Sequence, residues 1–512
     1  MTIKLLYKYT TYLVPFFLGA ITSFSLPPYN YLILNFITFP TLLFFFINNY
    51  KKSKWISFKI GWMFGFGYFF SSLYWITNSL TFYESYKPLI PFALITIPLF
   101  LGIFYGATTL IFSFFKIEKN YSTIIIFSVI FSFVEYIRSF IIGGFPWNMI
   151  AYSWTDYLNS LQIISFIGTY SLNLLSITVF LLPIIFFYKK NLKIKFFTII
   201  LLTVVLFANH IFGGLKLEKD DVNAKNIDYT IKIISPKIDI NRFLKYEDPK
   251  KKIKELIYLS NPKPLEKTIF IFPEGILTSI YFKDLKKYKK LFSENYSSNH
   301  IIVIGMNSNE TINGKLKIYN SLVVIDNNVN LLAKYDKNKL VPFGEFLPFE
   351  NILSKFGLKK ITQGYLSFSS SNKRDVINIY GKNFLPLICY EIIYSGKLKN
   401  FNQNIDFILN ISEDGWFGNS VGPYQHFSHS KFRAIEEGKT LIRSANNGIS
   451  AFISPNGRII SRLESTQKGV IELKKLENAN KTFFAIYGNK IFFYFLIFYI
   501  SLFFFINRRE HK

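Results

Sequence analysis

Apolar residues in this 512-residue chain are gathered into runs long enough to cross a bilayer, and that clustering limits the fold more than any other feature. The runs lie near 9–26, 30–48, 57–80, 88–115, 121–142, 161–187 and 192–213, with one more from Ile491 to Ile506. A helix needs about 18 to 20 apolar residues to traverse the hydrocarbon core. We therefore expect about eight spans, seven before a long polar region and one after it, the last drawing on flanking residues. The predicted division is a bundle over 1–213, a polar domain over 214–490 and a final span with a short tail over 491–512.

Basic residues set the expected orientation, because short loops rich in Lys and Arg stay cytoplasmic. Lys4 and Lys8, then Lys51, Lys52 and Lys54, then Lys116 and Lys119, then Lys189, Lys190, Lys193 and Lys195, and finally Arg508, Arg509 and Lys512 fall on one side of the predicted bundle. The intervening loops hold only Lys87. The polar domain is then expected outside the cytoplasm. Much of the net charge of +27 belongs to the cytoplasmic loops, so it gives no reason to invoke nucleic acid. The clusters Lys250–Lys254 and Lys286–Lys290 read as solvated helix faces, with attraction to anionic headgroups as a second reading.

Within the bundle, Glu135 and Arg138 stand three residues apart in the fifth run and should face each other, since intramembrane charges are costly. Gly61, Gly65 and Gly67 read as close helix packing rather than a phosphate loop. The segment Gly143-Gly144-Phe145-Pro146-Trp147-Asn148 breaks the fifth span, and its aromatic residues suit a membrane interface.

From about Asp228 the pattern changes to short β-branched runs: Tyr229–Ile234, Thr268–Phe272, Ile301–Gly305, Ser321–Ile325, Phe384–Tyr390, Phe407–Ile411, Gly448–Ile453 and Gly469–Leu473. Polar segments near 246–260, 279–295 and 426–440 read as helices, which makes the region one α/β domain. Three strand ends carry reactive groups: Glu274 in Phe272-Pro273-Glu274-Gly275, Lys337 with Glu345 in the loop after Tyr335-Asp336, and Cys389, the only cysteine. A lone cysteine forms no intrachain disulfide. It is a small core residue or a nucleophile. A carboxylate such as Glu274 can take a thiol proton, and a Lys in a dry site can hold an oxyanion. His426 and His429 lack the companions of a zinc site, so a capping or surface role is expected of them. No Gly-x-Ser-x-Gly elbow provides a serine nucleophile.

Phe272-Pro273-Glu274, Tyr335-Asp336-Lys337 with Val341-Pro342-Phe343-Gly344-Glu345, and Cys389-Tyr390-Glu391 resemble the Glu-Lys-Cys segments of the nitrilase superfamily. Asp414-Gly415-Trp416-Phe417-Gly418, Arg433-Ala434-Ile435-Glu436, Arg443–Gly448 and the membrane flanks narrow the resemblance to the apolipoprotein N-acyltransferase family of the bacterial inner membrane. That resemblance implies a four-layer αββα domain on the outer face of an eight-helix bundle. It implies acyl transfer from a phospholipid to the amino group of a diacylglyceryl apolipoprotein, with Cys389 as nucleophile, Glu274 as base and Lys337 as oxyanion stabiliser. Glu345 would position Lys337 or assist proton transfer, and Tyr390, Glu391 and Trp416 would shape the site. No cofactor, metal or nucleic acid is implied. Ser235-Pro236-Lys237 and Tyr246 depart from the family's Gln-x-Asn and Trp, and Glu413 stands where Asn is expected, so no site role is assigned to it. The rival readings are a membrane-tethered amidase with the same three residues, and a binding or transport protein on an inactive scaffold.

Overall fold

The computed structural model describes residues 2–115, 119–188, 190–219, 223–353, 355, 367–396, 398 and 404–510. Lys116, Lys189 and Lys512, counted among the basic loop residues above, lie outside them. The chain forms two compact units, Met1–Asp220 with Phe483–Lys512, and Asp221–Thr482.

The first unit is helical. A long helix overlaps each expected apolar run: Thr2–Ser23, Asn35–Asn49, Lys54–Leu73, Ile90–Phe112, Tyr121–Arg138, Ile164–Leu181, Leu192–Lys219 and Lys490–Glu510. Among the described residues, six helical stretches are long and apolar enough to cross a membrane, as befits a membrane protein. In lipid the backbone must satisfy its own hydrogen bonds, which a helix does within one segment. Absence of side chains lets two of these helices touch: a Cβ on Gly61 would strike the Tyr105 carbonyl, and one on Gly65 would come within 2.8 Å of Gly102 Cα. Gly67 meets Phe16 of the first helix in the same way. Glu135 and Arg138 pair at 2.5 Å, both buried. Arg138 also donates to the carbonyls of Phe145 and Trp147, the latter at 3.0 Å. This draws the broken segment inward, and Trp147, expected at an interface, is buried against Trp75.

The second unit contains two six-stranded sheets. One holds β1 (Asn223–Ser235), β2 (Thr268–Ile271), β3 (His300–Ile312), β4 (Lys315–Ile325), β5 (Leu331–Asp336) and β12 (Gly469–Asn478), in the order β12-β1-β2-β3-β4-β5. The other holds β6 (Ile377–Ile379), β7 (Lys382–Ile388), β8 (Phe407–Glu413), β9 (Thr440–Asn446), β10 (Ser450–Ile453) and β11 (Ile459–Leu463), in the order β11-β10-β9-β8-β7-β6. β1, β2 and β3 run parallel, as do β7, β8 and β9. The sheets stack, with Ser444 of β9 donating to carbonyls of β1 and β2. Helices Pro249–Ser260 and Lys289–Asn295 cover the first sheet through Ile253, Leu256, Ile257 and Phe292, which pack on Phe270, Ile302 and Val323. Helix Gly422–Glu437 covers the second sheet at β9 and β10. The result is a four-layer αββα arrangement in which β2, β8 and β9 are buried along their whole length, hence apolar runs such as Ile269–Ile271 and Phe407–Leu409. β12 returns antiparallel to β1, so Asn478 lies opposite Asn223.

Candidate active site

Three strand ends meet in the second unit. β2 stops at Ile271, and the turn that follows is stitched to β3: Phe272 N donates to Val303 O at 2.8 Å, Gly305 N to Pro273 O at 3.2 Å and Ile276 N to Gly305 O at 2.9 Å. Gly305 is needed there, because a Cβ would stand 2.5 Å from Glu274 Cα. β5 ends one residue before Lys337, whose amide donates to Asn320 O at 2.9 Å. Cys389 follows β7 with φ of +50°, a left-handed conformation that is uncommon away from glycine. Such a residue leaves the sheet sharply and marks an element held in place by its surroundings.

Lys337 Nζ donates to Glu345 Oε1 at 3.0 Å and to Glu274 Oε1 at 3.4 Å. Asn320 Nδ2 bridges the same two oxygens at 2.7 Å and 2.8 Å. Glu274 Oε2 accepts from the Glu413 amide at 2.8 Å, and Glu345 Oε2 from the Val341 amide at 2.9 Å. All of these side chains are buried. Burial works against the Lys337 charge, yet Glu274 and Glu345 outweigh it and hold the ammonium well above its ordinary range. For Cys389, burial and then the Glu274 carboxylate push the thiol well above its usual value, while Lys337 and the Ser412 hydroxyl oppose them. The resting group is therefore a thiol and needs a base before it can attack.

Glu391 ties two of these strand ends together. Its Oε1 accepts from Tyr335 Oη at 2.7 Å, Asn338 N at 2.9 Å, Lys339 N at 3.0 Å and Arg374 Nη2 at 2.6 Å, and its Oε2 accepts from Ile388 N at 2.8 Å. One carboxylate thus fixes both the residue before Cys389 and the residues after Lys337. Tyr390 is buried edge-on to Tyr394. The Trp416 ring lies 5.1 Å from that of Phe243, tilted by 43°, and Phe243 abuts Gly275 beside Glu274.

The structure departs from expectation at two histidines. His426 and His429 are buried, not surface or capping residues. His426 Nδ1 lies 2.9 Å from Asp414 Oδ1, and Arg443 Nη2 donates to Asp414 Oδ2 at 2.7 Å. Helix Gly422–Glu437 packs its polar residues inward because the strand ends beneath it carry these charges. Asn320, Arg374 and Arg242 were missed by sequence reasoning, as was the backbone contact of Glu413. Each acts on a residue more than fifteen positions away, and no local pattern flags such pairings. Among the described residues no cluster of three His, Cys, Asp or Glu side chains could hold a metal ion.

Family models match stretches of both units. The Apolipoprotein N-acyltransferase N-terminal domain matches residues 18–182, and the Carbon-nitrogen hydrolase domain matches residues 263–474. The chain is 32% identical to the apolipoprotein N-acyltransferase of Rickettsia prowazekii over 86% of its own length and 88% of the relative's. The chain belongs to the apolipoprotein N-acyltransferase family. The enzyme of that name from Rickettsia typhi is 31% identical over 94% of this chain and 95% of its own. That of Agrobacterium fabrum is 31% identical over 91% and 90%. Among solved structures, Nit3 of Saccharomyces cerevisiae, a member of branch 10 of the nitrilase superfamily, is similar over 49% of this chain and 90% of its own, at 15% identity and a TM-score of 0.35. As a member of this family the chain is an acyltransferase of lipoprotein maturation with a carbon-nitrogen hydrolase domain.

Proposed function

We propose that this acyltransferase takes a fatty acyl chain from a membrane phospholipid onto Cys389 and passes it to the α-amino group of a diacylglyceryl apolipoprotein. The bundle lies in the bacterial inner membrane, with the αββα domain on the periplasmic side. The observation that carries the reading is the buried Lys337 ammonium between Glu274 and Glu345, coupled to the Cys389 thiol.

Glu274 takes the thiol proton as Sγ attacks the ester carbonyl carbon. The tetrahedral oxyanion is held by Lys337, whose charge is kept by its two carboxylates. The C–O bond breaks, the proton passes from Glu274 to the departing alkoxide, and lysophospholipid leaves. In the second half the apolipoprotein amine attacks the thioester and its proton goes to Glu274. The C–S bond then breaks and the thiolate is reprotonated. Glu345 and Asn320 keep Lys337 and Glu274 in register through both halves. Outside the cytoplasm an ester already in the membrane is the available donor, and a thioester conserves its reactivity.

The test is to incubate purified protein with labelled phospholipid, remove free lipid, and look for label on Cys389 that neutral hydroxylamine releases. We expect such an adduct before any apolipoprotein is added, and none in Cys389→Ser. Kinetics requiring both substrates at once, with no adduct in an active preparation, would refute the thioester route. Mass spectrometry of a lipoprotein N-terminus with and without the protein should differ by one acyl group on the amine.

A further inference from the structure

A second buried ion pair lies beside Glu274 and takes no part in the chemistry above. Arg242, in a short turn after β1, is 2% exposed, and Glu413, the last residue of β8, is 1% exposed. Arg242 Nη2 donates to Glu413 Oε2, and its Nε donates to Gly275 O at 2.9 Å. The same Nη2 reaches Glu274 O at 3.5 Å, and the guanidinium lies 4.5 Å over the Phe243 ring. Glu413 Oε1 accepts from Gly415 N at 2.7 Å and Asn447 Nδ2 at 3.4 Å, and Oε2 accepts from Asn446 Nδ2 at 2.8 Å. Meanwhile the Glu413 amide donates to the Glu274 carboxylate. The pair therefore grips one residue at both ends: Arg242 holds its backbone carbonyl, and Glu413 presents the amide that holds its side chain.

Stability alone does not account for two desolvated charges here, since apolar residues of like volume fill such a space as well or better. A charged pair differs in fixing direction. It also leaves its neighbours facing no net charge. We propose that Arg242 and Glu413 are positioning residues for Glu274, locking the Glu274–Gly275 peptide while cancelling each other's field at the carboxylate. The inference rests on the reading of Glu274 as base. The groups facing Glu274 are Lys337, Glu345, Asn320 and the Cys389 thiol. Glu413 faces Arg242 with two asparagines, and its neighbour Asp414 is matched separately by Arg443 and His426.

The experiment uses the full-length protein and the pH dependence of Cys389 alkylation by iodoacetamide, which reports thiol activation without acyl transfer. Glu413→Gln keeps the backbone amide but leaves a permanently charged guanidinium uncompensated beside Glu274. The acid limb of the profile should move to lower pH, with alkylation at the foot of that limb faster by about threefold or more. Adding Arg242→Met to Glu413→Gln should return the limb to its original place. Arg242→Lys keeps the charge but lacks the fork that spans Glu413 and the Gly275 carbonyl, so the rate should fall with the limb unmoved. A merely structural pair would lower the melting temperature and leave every limb in place, and that result overturns the proposal. An alkylation profile of Glu274→Gln identical to wild type would instead show that Glu274 is not the base.

Discussion

Glu391→Gln is the most exacting test of how the site is held. The wild-type carboxylate is fully buried and receives five donors, one of them the Arg374 guanidinium. Burial raises its proton affinity, but Arg374 and the backbone donors prevail and keep it below the ordinary carboxylate range, so it is charged. A glutamine of the same shape can offer its oxygen to the four donors on one side only by turning its NH₂ toward Ile388 N–H. One buried donor then goes unmet, at about 1 to 3 kcal/mol. Arg374, 11% exposed in its side chain, also loses its counter-charge, and breaking such a pair costs about 3 to 5 kcal/mol. The two costs overlap, and about 4 kcal/mol is a fair sum. For a unit of this size that lowers the melting temperature by about 8 to 16 °C. Differential scanning calorimetry of the full-length protein in detergent reads the shift. Lysophospholipid release, measured well below the transition, should fall as well, because Lys337 and Cys389 are no longer registered to each other. A melting temperature within about 2 °C of wild type would refute the account of Glu391 as the tie between two strand ends.

Other perturbations test other parts. Asn320→Ala removes two hydrogen bonds to carboxylates and should slow acyl-enzyme formation by about 10- to 100-fold, read as initial lysophospholipid release. His426 and His429 are held by burial below the ordinary histidine value of 6.5. The unfolded chain thus binds protons that the folded one refuses, and stability falls as pH drops through 6.5. Stability in urea melts should therefore be lower at pH 5.5 than at pH 8, and a flat profile across that range would contradict this. Neighbouring glycines in the helix Leu192–Lys219 should differ: a Cβ on Gly213 strikes the Asn159 carbonyl, whereas one on Gly214 meets only Asn159 Nδ2 at 3.6 Å. Gly213→Ala should reduce the yield of monodisperse protein on size exclusion, and Gly214→Ala should not.

How much of this was legible depends on the distance over which each cause acts. The apolar runs are local, and so are the helices they form. Glu274, Lys337 and Cys389 were visible because each closes a strand, where a chain must present whatever side chain comes next. The grouping of the three depends on strand order, which no stretch of text contains. Asn320 looked like an ordinary polar residue at the middle of β4, and only the β4–β5 register brings it beside Lys337. β9 was not read as a strand, because Thr440–Asn446 mixes Arg, Ser and Asn with few apolar residues. Its polar side chains are buried because they serve Asp414 and the facing sheet. His426 was misread for the same reason: its partner, Asp414, is itself hidden beneath the helix that carries it.

The pairing of β1 with β12 has a consequence for how such a chain can arise. The polar unit begins at one strand and ends at its hydrogen-bonded neighbour, with Asn223 opposite Asn478. Adjacent strands lie about 5 Å apart. A gene segment for this unit therefore starts and stops at almost one point in space, so it can be spliced into a single loop of a host protein without stretching either partner.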